Sequence, residues 1–203
     1  MKPLVSLLAP CAVFLSLFAV PAAAPVPPAA PALQSLAIDP THSSLVFKVQ
    51  HMGVSSFYGR FNEVGGRIAL DKDDASKCSV TITVQAASVD THSGKRDQHL
   101  QSPDFFSVKE FPTIEFRSTS VKKAGADEFE VAGKLTLHGV SKDLTLKVKQ
   151  TGYNEADGRH PATAGFETHF TLERSDFGMD YGIEQGSLGD EVEVMLAVEA
   201  GEE

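Results

Sequence analysis

The sequence predicts an all-β fold, an eight-stranded antiparallel β-barrel with a short helical insertion, on three observations. Apolar residues alternate with polar ones in segment after segment, which is the period of a strand with one buried face. Turns bearing Gly, Asp, Asn and Ser separate about eight such segments, and no long helical period or internal repeat appears. Strands in that number with short connections either pack as two sheets or close into a barrel, and closure removes exposed edges.

Four segments alternate cleanly. Leu45, Phe47 and Val49 alternate with Ser44, Val46, Lys48 and Gln50; Val80, Ile82 and Val84 with Ser79, Thr81, Thr83 and Gln85. Leu144, Leu146 and Val148 alternate with Asp143, Thr145, Lys147 and Lys149, and Val192, Val194, Leu196 and Val198 with Glu191, Glu193, Met195, Ala197 and Glu199. Weaker alternation runs over 61–70, 114–121, 129–137 and 166–173, and Gly65-Gly66 within the first of these predicts a bulge or a sharp bend. Residues 92–106 break the pattern. They predict two short helical turns, the second capped by Ser102 with Pro103 in first position, ended at Phe111-Pro112.

Before the strands, Lys2 precedes an almost wholly apolar run from Leu4 to Val20 that ends in Pro21 and Ala22-Ala23-Ala24, the pattern of an export signal over residues 1–24. A cut before Ala23 is an equally good alternative. An uncleaved anchor is the competing reading, although a run interrupted by Pro10 is short for a bilayer. Pro10 directly before Cys11 argues against lipid attachment there. Residues 25–35 are nearly all Ala, Pro and Val at their start and read as a linker, leaving one domain over 36–200. Such a signal predicts a periplasmic or secreted protein without stable membrane insertion. Cys11 falls within it, so Cys78 stands alone in the mature chain as a small buried hydrophobe rather than half of a disulfide.

Composition narrows the function. Among 203 residues, 18 Lys and Arg face 27 Asp and Glu, a formal net charge of -9, which disfavours nucleic acid because phosphate backbones require clustered cations. None of the seven His residues makes the H-x-x-x-H spacing of a helical metal site, so no metal and no cofactor is expected. There is no G-x-S-x-G elbow, and Asp176-Phe177-Gly178 lacks the glycine-rich and catalytic loops of a kinase. No catalytic residue is expected, and the chain is not read as an enzyme.

An eight-stranded barrel has an interior just wide enough for side chains or for one small ligand. Strand parity turns Phe47, Val49, Phe61, Ile82, Ile114, Phe116, Leu135, Leu137, Phe166 and Phe170 inward as candidate wall residues. Parity leaves two readings open, a hollow that takes an apolar ligand and a packed barrel serving as a structural or surface-interaction protein. Among polar residues, His51, Arg60, Lys95, Arg96 and His99 are candidates to meet a ligand head group, with a helical turn gathering the last three. Alternatively Arg96 pairs with Asp104, and the His residues cap backbone groups.

Several segments together resemble the YceI-like polyisoprenoid-binding family, in the family's order and over almost the whole domain. They are Ile38-Asp39-Pro40-Thr41-His42-Ser43, Phe47 and His51 with Gly53, Gly59-Arg60-Phe61, Arg96 with His99-Leu100, Asp104-Phe105-Phe106 and Phe111-Pro112-Thr113-Ile114-Glu115-Phe116. Gly133-Lys134-Leu135-Thr136-Leu137-His138-Gly139 and Arg174-Ser175-Asp176-Phe177-Gly178-Met179 complete the set. The resemblance implies a lipocalin-like barrel whose internal pocket carries a polyisoprenoid or other long-chain lipid, such as an isoprenoid quinone or a prenyl phosphate, in the bacterial periplasm. It also implies that two copies can pair as a homodimer.

Overall fold

A computed structural model of the chain describes residues 33–202. The expected export signal and most of the expected linker lie outside the described residues. The strands, in chain order, are β1 (Gln34–Ile38), β2 (Ser44–His51), β3 (Ser55–Phe61), β4 (Val64–Leu70), β5 (Ser79–Gln85) and β6 (Val89–Asp90). The helix α1 (Gly94–Leu100) follows, then β7 (Thr113–Lys123), β8 (Glu128–Leu137), β9 (Val140–Asn154), β10 (Thr163–Glu173) and β11 (Leu188–Glu202). Strand β1 takes in Gln34 and Ser35, two residues that composition assigned to the linker, because both pair with β4 opposite Leu70 and Ala69.

These eleven segments make an eight-stranded antiparallel closed barrel. The ring runs β1-β4-β5-β7-β8-β9-β10-β11 and closes where β11 returns to β1 through Leu36↔Glu202, Ala37↔Gly201 and Ile38↔Ala200. The long strand β11 pairs with β2 along its first part and with β1 at its end, so β1 and β2 are two halves of one stave. In the same way β3 continues into β4 across 62–63, and β5 into β6 across 86–88. The three interruptions fall side by side, next to the paired residues Leu45, Phe61 and Val89. Pro40 has no N–H for a ladder, the Asp39 carboxylate accepts the Thr41 N–H at 2.7 Å, and Ser88 Oγ accepts the Glu63 N–H at 3.0 Å in place of a strand partner.

Gly65-Gly66 forms no bulge; register from Val64↔Val84 to Ala69↔Ser79 is continuous. Gly66 instead has φ +138 and lies against the Thr81 carbonyl, where a Cβ would collide with backbone. The expected second helical turn is also absent. Helix α1 starts after Ser93 and ends at Leu100, and residues 101–110 form successive turns. Phe106 N–H donates to the Leu100 carbonyl and Val108 N–H to the Gln101 carbonyl, so the chain folds back on the end of α1 instead of starting anew at Ser102. Residues 91–112 fill the gap between the two-residue β6 and β7. Among the described residues no helix is long and apolar enough to cross a membrane.

With the β2–β3 hairpin taken as the upper end, the lower half of the lumen is packed. Leu36, Ile68, Leu70, Val121, Val131, Val198 and Ala200 are buried there, leaving a void of about 70 Å³. Cys78 is half-buried beside this void, its Sγ accepting the Asp71 N–H at 3.3 Å, and burial raises the thiol's pKa.

Candidate functional site

The upper half of the lumen holds a cavity of about 550 Å³. Period-two alternation builds its wall, since each stave contributes its inward positions: Phe47 and Val49 from β2, Ile114 and Phe116 from β7, Leu135 and Leu137 from β8. Phe61, Ile82 and Phe170 complete the expected set. Phe47 lies flat across the neighbouring strand because Gly59 offers no Cβ to its ring. Its ring then meets Phe61 at 5.7 Å, and Phe61 meets Phe106 edge-on at 5.3 Å.

Phe166 is the exception among the expected wall residues. It pairs in register with Val198, one inward step below Thr168↔Leu196, and so lines the small lower void instead. Parity assigns the face of a strand and is silent about height along it.

Over the cavity sit α1, Phe105, Phe106 and the loop after β10. His99 stands edge-on to Phe105 at 5.1 Å and to Tyr181 at 5.0 Å, joining the helix to that loop. The polar lining gathers at this end: His51, Ser55, Arg96, His99, Arg174, Tyr181 and Ser187. Arg96 places its guanidinium 4.1 Å over the Phe57 ring and donates from Nε to Thr91 Oγ1 at 2.8 Å and from Nη2 to the Thr91 carbonyl at 2.6 Å. Asp104, the alternative partner for Arg96, meets another residue: His99 Nε2 lies 2.9 Å from Asp104 Oδ2. The seven-residue helix points Arg96 and His99 to the cavity, whereas Lys95 and Arg60 are exposed and do not line it.

Arg174 joins the rim from outside the polar set that the sequence predicts. It is only 5% exposed, lines the apolar cavity, and donates to the carbonyls of Met179 at 2.6 Å, Gly189 at 2.8 Å and Leu188 at 3.4 Å. Burial lowers its pKa, opposed by the charges of Asp190 and Asp180, and a guanidinium there remains a cation. Its position after a strand in a polar-looking run carried no sign of burial. Tyr181, Met179 and Phe105 also reach the cavity from loops, where no period exists to reveal them. Leu144, Leu146, Val192, Val194 and Leu196 line it from strands whose alternation already marked that face.

Asp39, His42 and Glu199 form the one group among the described residues whose ligand atoms approach as a metal site requires, all within 4.8 Å. They do not line the cavity; His42 Nδ1 lies 2.8 Å from Asp39 and 3.8 Å from Glu199. The His42 hydrogen bond lowers the pKa of Asp39, and the Asp39 carboxylate 2.8 Å away raises that of His42.

Known proteins share this architecture. The chain is 40% identical over 158 residues to a UPF0312 protein of Pseudomonas aeruginosa, covering 78% of this chain and 81% of that one. The solved YCEI protein of Campylobacter jejuni superposes with a TM-score of 0.68 at 30% identity, over 76% of this chain and 90% of the other. A polyisoprenoid binding domain from Saccharophagus degradans matches in fold, with a TM-score of 0.65 at 18% identity over 85% of this chain and 100% of its own. The YceI-like domain matches residues 36–200, which span the staves, the cavity and its lid. The chain belongs to the YceI-like domain family.

Proposed function

We propose that the protein carries a polyisoprenoid or similar long apolar lipid, its chain in the upper cavity and its polar head at the rim, without catalysing a reaction on it. The observation that carries this reading is the segregation of the lining: hydrocarbon surrounds the depth of a 550 Å³ cavity, while its polar groups gather at one end. At about 30 Å³ per water-sized unit, the cavity holds on the order of 18 non-hydrogen atoms. Burying each methylene contributes about 0.8 kcal/mol, enough for a chain of that size to overcome the cost of association. The polyisoprenoid binding domain that shares this fold supports the choice of ligand.

Arg96, His99 and the buried Arg174 suit a phosphate or a quinone carbonyl as the head group. The apolar run from Leu4 to Val20 and the small residues after it support the reading of an exported carrier that works in the periplasm or outside the cell.

Organic-solvent extraction of protein purified from its native host should release a stoichiometric lipid. Phe116→Asp, which sets a carboxylate in the wall, should abolish uptake of a fluorescent polyene by the folded protein. A lumen reproducibly free of lipid, together with unchanged polyene binding by the variant, would refute carriage. A prenyl diphosphate that binds no better than its alcohol would remove the cationic rim from the reading.

A further inference from the structure

We infer that Ile82, Phe116, Leu146 and Leu196 form a floor across the lumen that sets the length of apolar chain the barrel accepts. This rests on the carriage reading above and specifies its ligand. The four side chains come from β5, β7, β9 and β11, and each lines both the upper cavity and the lower void. They are therefore the partition between the two spaces. Ile82 and Phe116 sit opposite one another in register on adjacent strands and are 7% and 6% exposed; Leu146 is 6% exposed.

The floor is built in, because the Phe116 ring has a dedicated bed. It lies over Gly133 on β8, where a Cβ would stand 2.6 Å from ring Cζ and 2.9 Å from Cε2. Beneath it the remaining space, about 70 Å³, offers room for about two more non-hydrogen atoms at the same 30 Å³ each. A chain filling the upper cavity stops at this layer, and a longer one must displace close-packed side chains or leave its excess in water. The ligand class is accordingly a single chain of roughly 14 to 16 carbons once room for a few head-group atoms is left, as the 30 Å³ figure implies, rather than a polyprenyl chain several times that length.

The test is a competition series in which saturated fatty acids of graded length displace a fluorescent polyene from the full chain. Below the limit, each added methylene should tighten binding about four-fold. Beyond it the affinity should level off or fall. Leu196→Ala joins the two spaces and should move the break to chains longer by roughly three to five carbons, the lower void plus the deleted side-chain atoms; Leu196→Val, gentler on the core, should move it less in the same direction. Val198→Ala enlarges only the lower void beneath an intact floor, and should leave the break in place. Equal shifts in the Leu196→Ala and Val198→Ala variants, or a wild-type series with no break, would overturn the floor while leaving carriage standing. Failure of every fatty acid and of the polyene to bind would overturn carriage, and the floor with it.

Discussion

Phe47 can lie across β3 because residue 59 carries no side chain, and Phe116 lies across β8 for the same reason at Gly133. In both cases a ring on one strand covers a glycine on the next, a device that pins register and fixes where the ring lies along the cavity wall. Gly59→Ala puts a methyl group into the Phe47 ring, so ring or backbone must shift. Overpacking of this kind costs about 1–3 kcal/mol. The variant should unfold at lower urea concentration with an unchanged dependence on denaturant, and a Phe47 ring pushed inward should reduce polyene uptake. An alanine variant as stable and as full as the parent would show that the ring does not depend on the glycine. Both glycines stand in plain view in the sequence, as do Phe47 and Phe116. Their pairing does not, since Phe116 and Gly133 meet only when β7 and β8 adopt their register. Arg174 makes the same point for polarity: nothing in the run around it shows that the residue ends up buried beneath the loop after β10.

At the scale of elements, the β4–β5 connection is organised by one carboxylate. Asp71 accepts the N–H groups of Asp73 at 3.0 Å and Asp74 at 2.9 Å, with Lys77 Nζ 3.5 Å away. The two backbone N–H donors, then the Lys77 charge, hold its pKa below the ordinary carboxylate value. A group whose pKa is depressed by folding adds stability above its unfolded value, near 4, and that stability is lost as pH falls through the folded value. Asp71→Asn should therefore be less stable than the parent at neutral pH, and the difference should shrink as urea midpoints are followed from pH 7 to pH 2. A difference independent of pH would assign the effect to packing. The insertion between β6 and β7 shows where element-level reading misleads. Ser102-Pro103 is a sound helix start in isolation, yet the carbonyls of Leu100 and Gln101 capture the chain, and Phe105 is drawn into the lid. Local capping preference is worth about 1 kcal/mol, less than burying one phenylalanine.

Over the whole molecule, closure through three residue pairs of β1 and β11 leaves a barrel packed below and hollow above. A hollow of this kind is an opportunity for stabilisation by whatever fills it. A ligand present at 100 times its dissociation constant adds about 2.7 kcal/mol, and at about 2–4 °C per kcal/mol for a domain of this size the midpoint should rise by roughly 5–10 °C. Thermal unfolding of delipidated protein with and without a C15 prenyl alcohol measures it. An unmoved midpoint at saturating ligand would mean that the alcohol does not enter the folded barrel.

Strand number, the inward face of each stave and the apolar character of the lumen were determined by the sequence alone, because a period of two is a property of consecutive residues and survives any choice of partner. Tertiary structure alone decided that the lumen is divided, that Phe166 belongs below the division and Phe170 above it, and that Arg174 is buried at the rim. Height along a barrel, unlike the face of a strand, is set by register and stagger between staves, and these exist only once strands distant in the chain have paired.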